Sequence, residues 1–312
     1  MADNPNPTND FVFRGLLSSE ENADILLAFL NAILLLAVPL TQVFIKNPFN
    51  LASYLGDKET IVDIKAQDEN GVWYNIELQL RGQIDYGKRA LYYLCRVYVD
   101  QIEAGQDYSL LNTAIGIHIL GFKLFDDYHA VHRFAYTDTE TGATPEELSH
   151  TRLIFVELPK FDVDWSQVNA DLDKWIAFFK EGETLTSANL PAALQGDPAL
   201  VKAVTTLERM GADPALRVIW EKQEAKRLAD IKEIEFAARK ARSEGIAEGK
   251  AEGIAEGAVR EARNMLLLFG KGRLGQPSEG VVRRLEAIDT VAALETLVPK
   301  ILAVESWDEL LV

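Results

Sequence analysis

Two carboxylates that could hold a hard metal ion, Asp63 and Glu77, with the amide of Gln79 beside them, flank an Asn-Gly turn in the stretch D-I-K-A-Q-D-E-N-G-V-W-Y-N-I-E-L-Q. Ile61 to Ala66 alternates as a strand does, Gln67 to Gly71 is turn-forming, and Val72 to Leu80 alternates again, so a β-hairpin is expected. Strand side chains point to opposite faces in turn, which puts Glu77 and Gln79 on one face and Ile76, Leu78 and Leu80 on the other. Pairing across the turn can set Asp63 beside Glu77. Two close carboxylates repel each other, and Mg²⁺ or Mn²⁺, which prefers oxygen ligands, relieves that repulsion. The same alternation also describes an edge hairpin with one wet face.

The surrounding segments supply the elements to carry such a hairpin. Asn9-Asp10 followed by Phe11, Phe13, Leu16 and Leu17 reads as a capped first helix. Ser18 to Asp24 opens a second, Ile25 to Leu36, with a serine cap and acids in its first turn. Leu40 to Lys46 is a short strand or connector, and Asp57-Lys58 leads into the hairpin. A helix from Tyr86 to Ala104 follows, with Tyr93, Val97 and Ile102 expected on its inner face and Cys95 in a packing role. Tyr86 and Arg89 lie three apart on one face of it, where the Arg89 fork can reach a phosphate. Asn112 to Leu120 reads as a buried strand in which His118 is a core histidine, and His132 to Tyr136 and Thr151 to Leu158 as two more strands. Leu172 to Lys180 closes the domain as an amphipathic helix. The order defines an α/β fold, a mixed sheet flanked by helices.

Several of these segments together resemble the PD-(D/E)XK nuclease superfamily, in the branch of recombination-promoting nucleases and PD-(D/E)XK family transposases. They are T-N-D-F-V-F at 8–13, L-A-F-L-N at 27–31, Asp57-Lys58, the acid Asp63 with E-L-Q at 77–79, D-Y-G-K-R-A-L-Y-Y at 85–93 and V-E-L-P-K-F at 156–161. The likeness runs through residues 8–182 and implies a restriction-endonuclease-like fold and a metal-dependent endonuclease acting on DNA. In that frame Asp63, Glu77 and the carbonyl after Glu77 hold Mg²⁺ or Mn²⁺, which supplies an activated water for in-line attack on phosphorus. Asp10 is a further candidate acid, as acids on the first helix are in many superfamily members, and Tyr86 and Arg89 are candidate substrate contacts. Gln79 departs from the pattern: it stands where a lysine is usual, and an amide can hydrogen-bond a water but carries no charge. The alternative is a catalytically weak or inactive nuclease-fold protein serving as an oligomeric scaffold.

Composition sets limits on both. The 312 residues are 48% hydrophobic, enough for a sizeable core, and carry a formal net charge of −16. Residues 1–183 hold 14 Lys and Arg against 28 Asp and Glu, a balance of −14, while 184–312 hold 18 against 20. Affinity for DNA comes largely from cations on phosphates, so weak or transient DNA binding is expected unless a local basic strip compensates. One cysteine excludes a disulfide framework, and one cysteine with four histidines argues against structural zinc. The N-terminus lacks a signal-peptide pattern, and the apolar run at 25–40 is interrupted by Asn31 and Pro39 and short for a membrane span, so a cytoplasmic protein is expected.

The division expected is a nuclease-like domain at 1–183, a linker with some helix at 184–213, a long charged helix at 214–270 and a small helical module at 271–312. The long helix contains G-I-A-E-G-K-A-E-G-I-A-E-G, with Gly245, Gly249, Gly253 and Gly257 four apart. Each glycine costs a helix about 1 kcal/mol relative to alanine. A bare stripe permits close approach of a second helix, so a homodimer through the C-terminal helices is expected.

Overall fold

The structure is a computed structural model that describes residues 4–49 and 63–312. Two compact units make up the chain, Met1–Arg227 and Leu228–Val312. The first contains helices α1 (Asp10–Leu17) and α2 (Ala23–Leu34), strand β1 (Val43–Ile45), the hairpin β2 (Ile64–Asp68) and β3 (Trp73–Gln79), and helix α3 (Tyr86–Val99). Strands β4 (Ala114–Leu120), β5 (Val131–Phe134) and β6 (Thr151–Glu157) follow, then helices α4 (Asp171–Glu181), α5 (Ala192–Gln195) and α6 (Pro198–Ala212). The sheet has six strands in the order β1-β2-β3-β4-β6-β5. The β3–β4 and β4–β6 pairs are parallel and the outer pairs antiparallel.

All seven residues of β4 are buried, as a central parallel strand covered on both faces requires. On one face Ile64, Ala66, Ile76, Leu78, Ile117, Ile119 and Val156 meet apolar side chains of α1, α2, α4 and α6 in one continuous core. The other face is covered more sparsely by α3. Its inner residues are Tyr86, Ala90, Leu94 and Val97, spaced four, four and three apart. Tyr93 and Ile102, expected on that face, are not among its buried residues, and Cys95, expected to pack, is exposed because it falls on the outward side of the same helix. The second helix is preceded by a turn of 3-10 helix at Glu20–Asn22, and Ser19 makes no capping hydrogen bond.

Residues 184–213 contribute more than a connection. Leu185, Leu194, Leu200, Val204 and Leu207 belong to the main core, as does Trp220 at the start of helix α7 (Pro214–Leu274). Asn9 Nδ2 donates to the Trp220 carbonyl at 3.4 Å and the Phe11 amide to Gln223 Oε1 at 3.2 Å. The first unit therefore runs to Arg227, beyond the 1–183 expected from the sequence.

In the second unit the end of α7 packs with α8 (Glu279–Glu286), α9 (Val291–Leu297) and α10 (Trp307–Leu310) around Leu266, Leu285, Leu294 and Trp307. Gly270 is required there: a methyl group in its place would lie 2.0 Å from the Trp307 ring, whose indole N–H donates to the Gly275 carbonyl at 2.8 Å. Arg263 donates to the carbonyls of Leu285, Glu286 and Ile288, closing the end of α8. The glycine stripe stands differently. A Cβ at Gly245, Gly249, Gly253 or Gly257 meets nothing within 4 Å among the described residues.

Candidate active site

The geometry of the acid pair is set at the hairpin turn. Gly71 takes φ +82°, a conformation open to glycine, and a Cβ there would come 3.0 Å from Asn112 Oδ1. Asp68, buried at the end of β2, accepts hydrogen bonds from the amides of Asn70 (2.8 Å) and Val72 (3.0 Å) and from the Tyr74 hydroxyl (2.7 Å). This fixes the register, with Ala66 opposite Tyr74, Lys65 opposite Asn75 and Ile64 opposite Ile76. One step further, Asp63 faces Glu77 on the α3 side of the sheet.

Glu77 is only 8% exposed. Burial, first, and then the charge of Asp63 push its carboxyl above the usual range, while the Asn75 amide, Arg89 and Lys65 pull the other way. Asn75 Nδ2 donates to Glu77 Oε1 at 3.2 Å. On the other side of Glu77 from Asp63 stands His118, in register with it on β4. Its Nδ1 is 3.0 Å from the Tyr86 hydroxyl and its ring stacks on Phe155 at 5.0 Å. Burial pushes His118 down to about 3, aided by the Arg89 charge, so the imidazole is neutral. A buried carboxylate beside a second one, next to a neutral imidazole, is a donor set that a divalent cation with oxygen ligands fits.

The expected site residues separate into groups. Asp63, Glu77 and Arg89 come together, and Gln79 shares their strand face, its amide nitrogen donating to the Arg81 carbonyl at 3.1 Å. Arg89 donates to Gln83 Oε1 at 2.6 Å and lies over the Tyr93 ring at 5.2 Å. Tyr86, expected as a substrate contact, is buried with its hydroxyl on His118; burial raises its phenol. Asp10 opens α1 but is not the cap, a role taken by Asn9. The charges acting on Asp10 are those of Arg81, Arg227 and Glu224, and it is not among those acting on Glu77. Asp57 lies outside the described residues. Asn75 and Lys65 are additions to the site, each two residues from an acid on its own strand. Strand alternation alone places them there.

A second cluster sits at the end of β6. Glu157, fully buried, accepts hydrogen bonds from the Leu124 and Phe125 amides and from Lys160 Nζ at 2.7 Å. His132 lies between Glu157 Oε2 (3.3 Å) and Asp127 Oδ2 (2.8 Å). Asp127, His129 and His132 bring ligand-type atoms within 4.8 Å of one another. The Lys160 ammonium, 3.6 Å from Asp127 and 97% buried, offsets one of the two carboxylates, and the group works as an ionic clasp on the loop before β5.

A mixed sheet whose hairpin presents paired acids toward a flanking helix defines the restriction-endonuclease-like class. The sequence model of the PD-(D/E)XK nuclease family transposases matches residues 7–237, and the chain belongs to that family. No curated protein and no solved structure matches it. Among the described residues no helix is long and apolar enough to cross a membrane.

Proposed function

We propose that the protein is a metal-dependent DNA endonuclease of the recombination-promoting, transposase-like type, with Asp63 and Glu77 as the metal-binding acids. The observation that carries this is the buried Glu77 carboxylate, destabilised by Asp63 directly across the hairpin. Mg²⁺ or Mn²⁺ held by the two acids would supply Lewis acidity and an acidified water. Asn75 fixes the Glu77 carboxylate by its hydrogen bond, and Gln79 offers an uncharged amide to the attacking water. Water oxygen joins phosphorus, one P–O ester bond breaks, and the departing alkoxide takes up a proton.

Three cations lie on this face despite the acidic balance of residues 1–183. Lys46 follows β1 beside Lys65, its ammonium over the Trp73 ring at 5.5 Å, and with Lys65 and Arg89 it forms a basic strip along the acid pair. Three cations suit brief contact with a phosphate backbone, and binding should weaken steeply with salt. Supercoiled plasmid incubated with the protein should be nicked in Mg²⁺ or Mn²⁺ and left intact in chelator. Cutting that persists in chelator, or none in any divalent metal, would overturn the reading in favour of an inactive nuclease-fold scaffold.

The glycine stripe on α7 fits a homodimer, since among the described residues no group fills it. Light scattering should find the wild-type chain dimeric and the variant with Gly245, Gly249, Gly253 and Gly257 all changed to alanine monomeric, although each alanine favours the helix itself by about 1 kcal/mol. A full chain that is monomeric before the change contradicts the pairing.

A further inference from the structure

We propose that Lys65 supplies the catalytic positive charge that Gln79 cannot, acting on the scissile phosphate from the β2 side of the acid pair. The proposal rests on the nuclease reading above and assigns one further residue to it.

Lys65 stands two residues beyond Asp63 on β2 and therefore shares its face. Its Nζ lies 3.9 Å from Asp63 Oδ2, and its charge acts on Glu77 as well. In the row of the sheet next to the acids it faces Asn75, the residue that holds Glu77. Gln79 occupies the row on the other side of the pair. Each is displaced from the acids by two residues of strand, about 6.8 Å, so a cation at either place can approach the same phosphate.

Two other positive groups on this face are less free to do so. Arg89 is held by Gln83 and stacked on Tyr93. Lys46 leans on Trp73 and Phe44. The Lys65 side chain is 43% exposed, and among the described residues its ammonium has no hydrogen-bond acceptor; Asp63, at 3.9 Å, is a loose ion pair. Such a pair opens readily once the Asp63 carboxylate turns its charge to a metal. An ammonium on a flexible stem can then follow the charge that gathers on the phosphoryl oxygens as the water adds. It forms no covalent bond in the step and gives up no proton.

The test is to move the charge across the pair. Lys65→Met should lower the single-turnover nicking rate in Mn²⁺ by ~100-fold or more, the scale of losing one charge-stabilising donor. Lys65→Arg should keep most of the rate. Gln79→Lys should restore at least ~10-fold in the Lys65→Met background, whatever it does to the wild-type rate. Calorimetric titration with Mn²⁺ alone supplies a second readout. Removing a cation from beside Asp63 should leave metal binding as tight or tighter, so that lost cutting is not lost metal. Wild-type cutting with an unaffected Lys65→Met, or no rescue by Gln79→Lys, overturns the proposal and leaves the nuclease reading standing. Weakened Mn²⁺ binding by Lys65→Met overturns it too, by making Lys65 a support for the acids. A wild-type chain that cuts in no divalent metal overturns both.

Discussion

Replacing Glu77 with glutamine is expected to raise the melting temperature of the metal-free protein and to erase its response to Mg²⁺ and Mn²⁺. The carboxyl is held above its ordinary range by burial and by Asp63, so the folded state keeps a proton that the unfolded state has already lost. Linkage gives the sign. Stability should fall as pH rises from the ordinary carboxylate value, about 4.3, through the raised folded value, and level off above it. Glutamine keeps the acceptor for Asn75 and removes the charge, so the variant should lose that part of the pH slope. Metal acts in the opposite direction on the wild type, adding about 2.7 kcal/mol at a concentration 100-fold above Kd. Thermal melts from pH 4 to 8, with and without Mn²⁺, check both halves. A Glu77→Gln protein that melts lower than wild type in chelator would show that Glu77 is not strained, and one that gains from Mn²⁺ as the wild type does would show that it is not a ligand.

The largest loss of stability is expected at Lys160→Met. The ammonium is 97% buried against a fully buried Glu157, and removing it leaves a carboxylate uncompensated in the interior, a loss of about 3–5 kcal/mol. For a unit of this size that lowers the melting temperature by roughly 10 °C. Glu157→Gln in the same chain should recover much of the loss, because glutamine still accepts from the Leu124 and Phe125 amides without bringing a charge. If Lys160→Met melts within about 1 °C of wild type, well inside the shift that losing such a pair produces, the clasp is solvated and the loop before β5 does not depend on it.

The hairpin was readable in the sequence because two period-2 runs and an Asn-Gly turn leave little choice of register once one face is apolar. The pairing of Asp63 with Glu77 follows from that alternation and from Asp68, whose backbone hydrogen bonds set where the turn closes. The resemblance carried by residues 8–182 likewise pointed to the family that the whole matched span supports. What sequence patterning missed depends on tertiary contacts. A helical wheel allows Tyr93 or Leu94 to face inward on α3, and only the arrival of Ala114 and Leu120 on β4 selects Tyr86, Ala90, Leu94 and Val97. The same rotation turns Cys95 outward and carries Tyr86 under the sheet to His118. Asp10 reads equally as helix start or acid of the site, and the charges around it come from Arg81 and Arg227, distant in sequence. Residues 184–227 open on a stretch broken by Pro191, Gly196 and Pro198 that reads as a linker, and Trp220 is the one large aromatic clue to their place in the core. Lys65 is two residues from Asp63 in the sequence, but its relation to the acids depends on Asn75 across the hairpin and on the loose ion pair.

Side-by-side plasmid nicking in Mn²⁺ by the wild-type chain and by Asp63→Asn, at matched folding and concentration, tests the central claim most directly. Asparagine keeps the size of the side chain and its place opposite Glu77 while halving the negative charge of the pair. The account predicts nicking by the wild type and a rate lower by on the order of 10³ for the variant. Equal rates for the two proteins would contradict it.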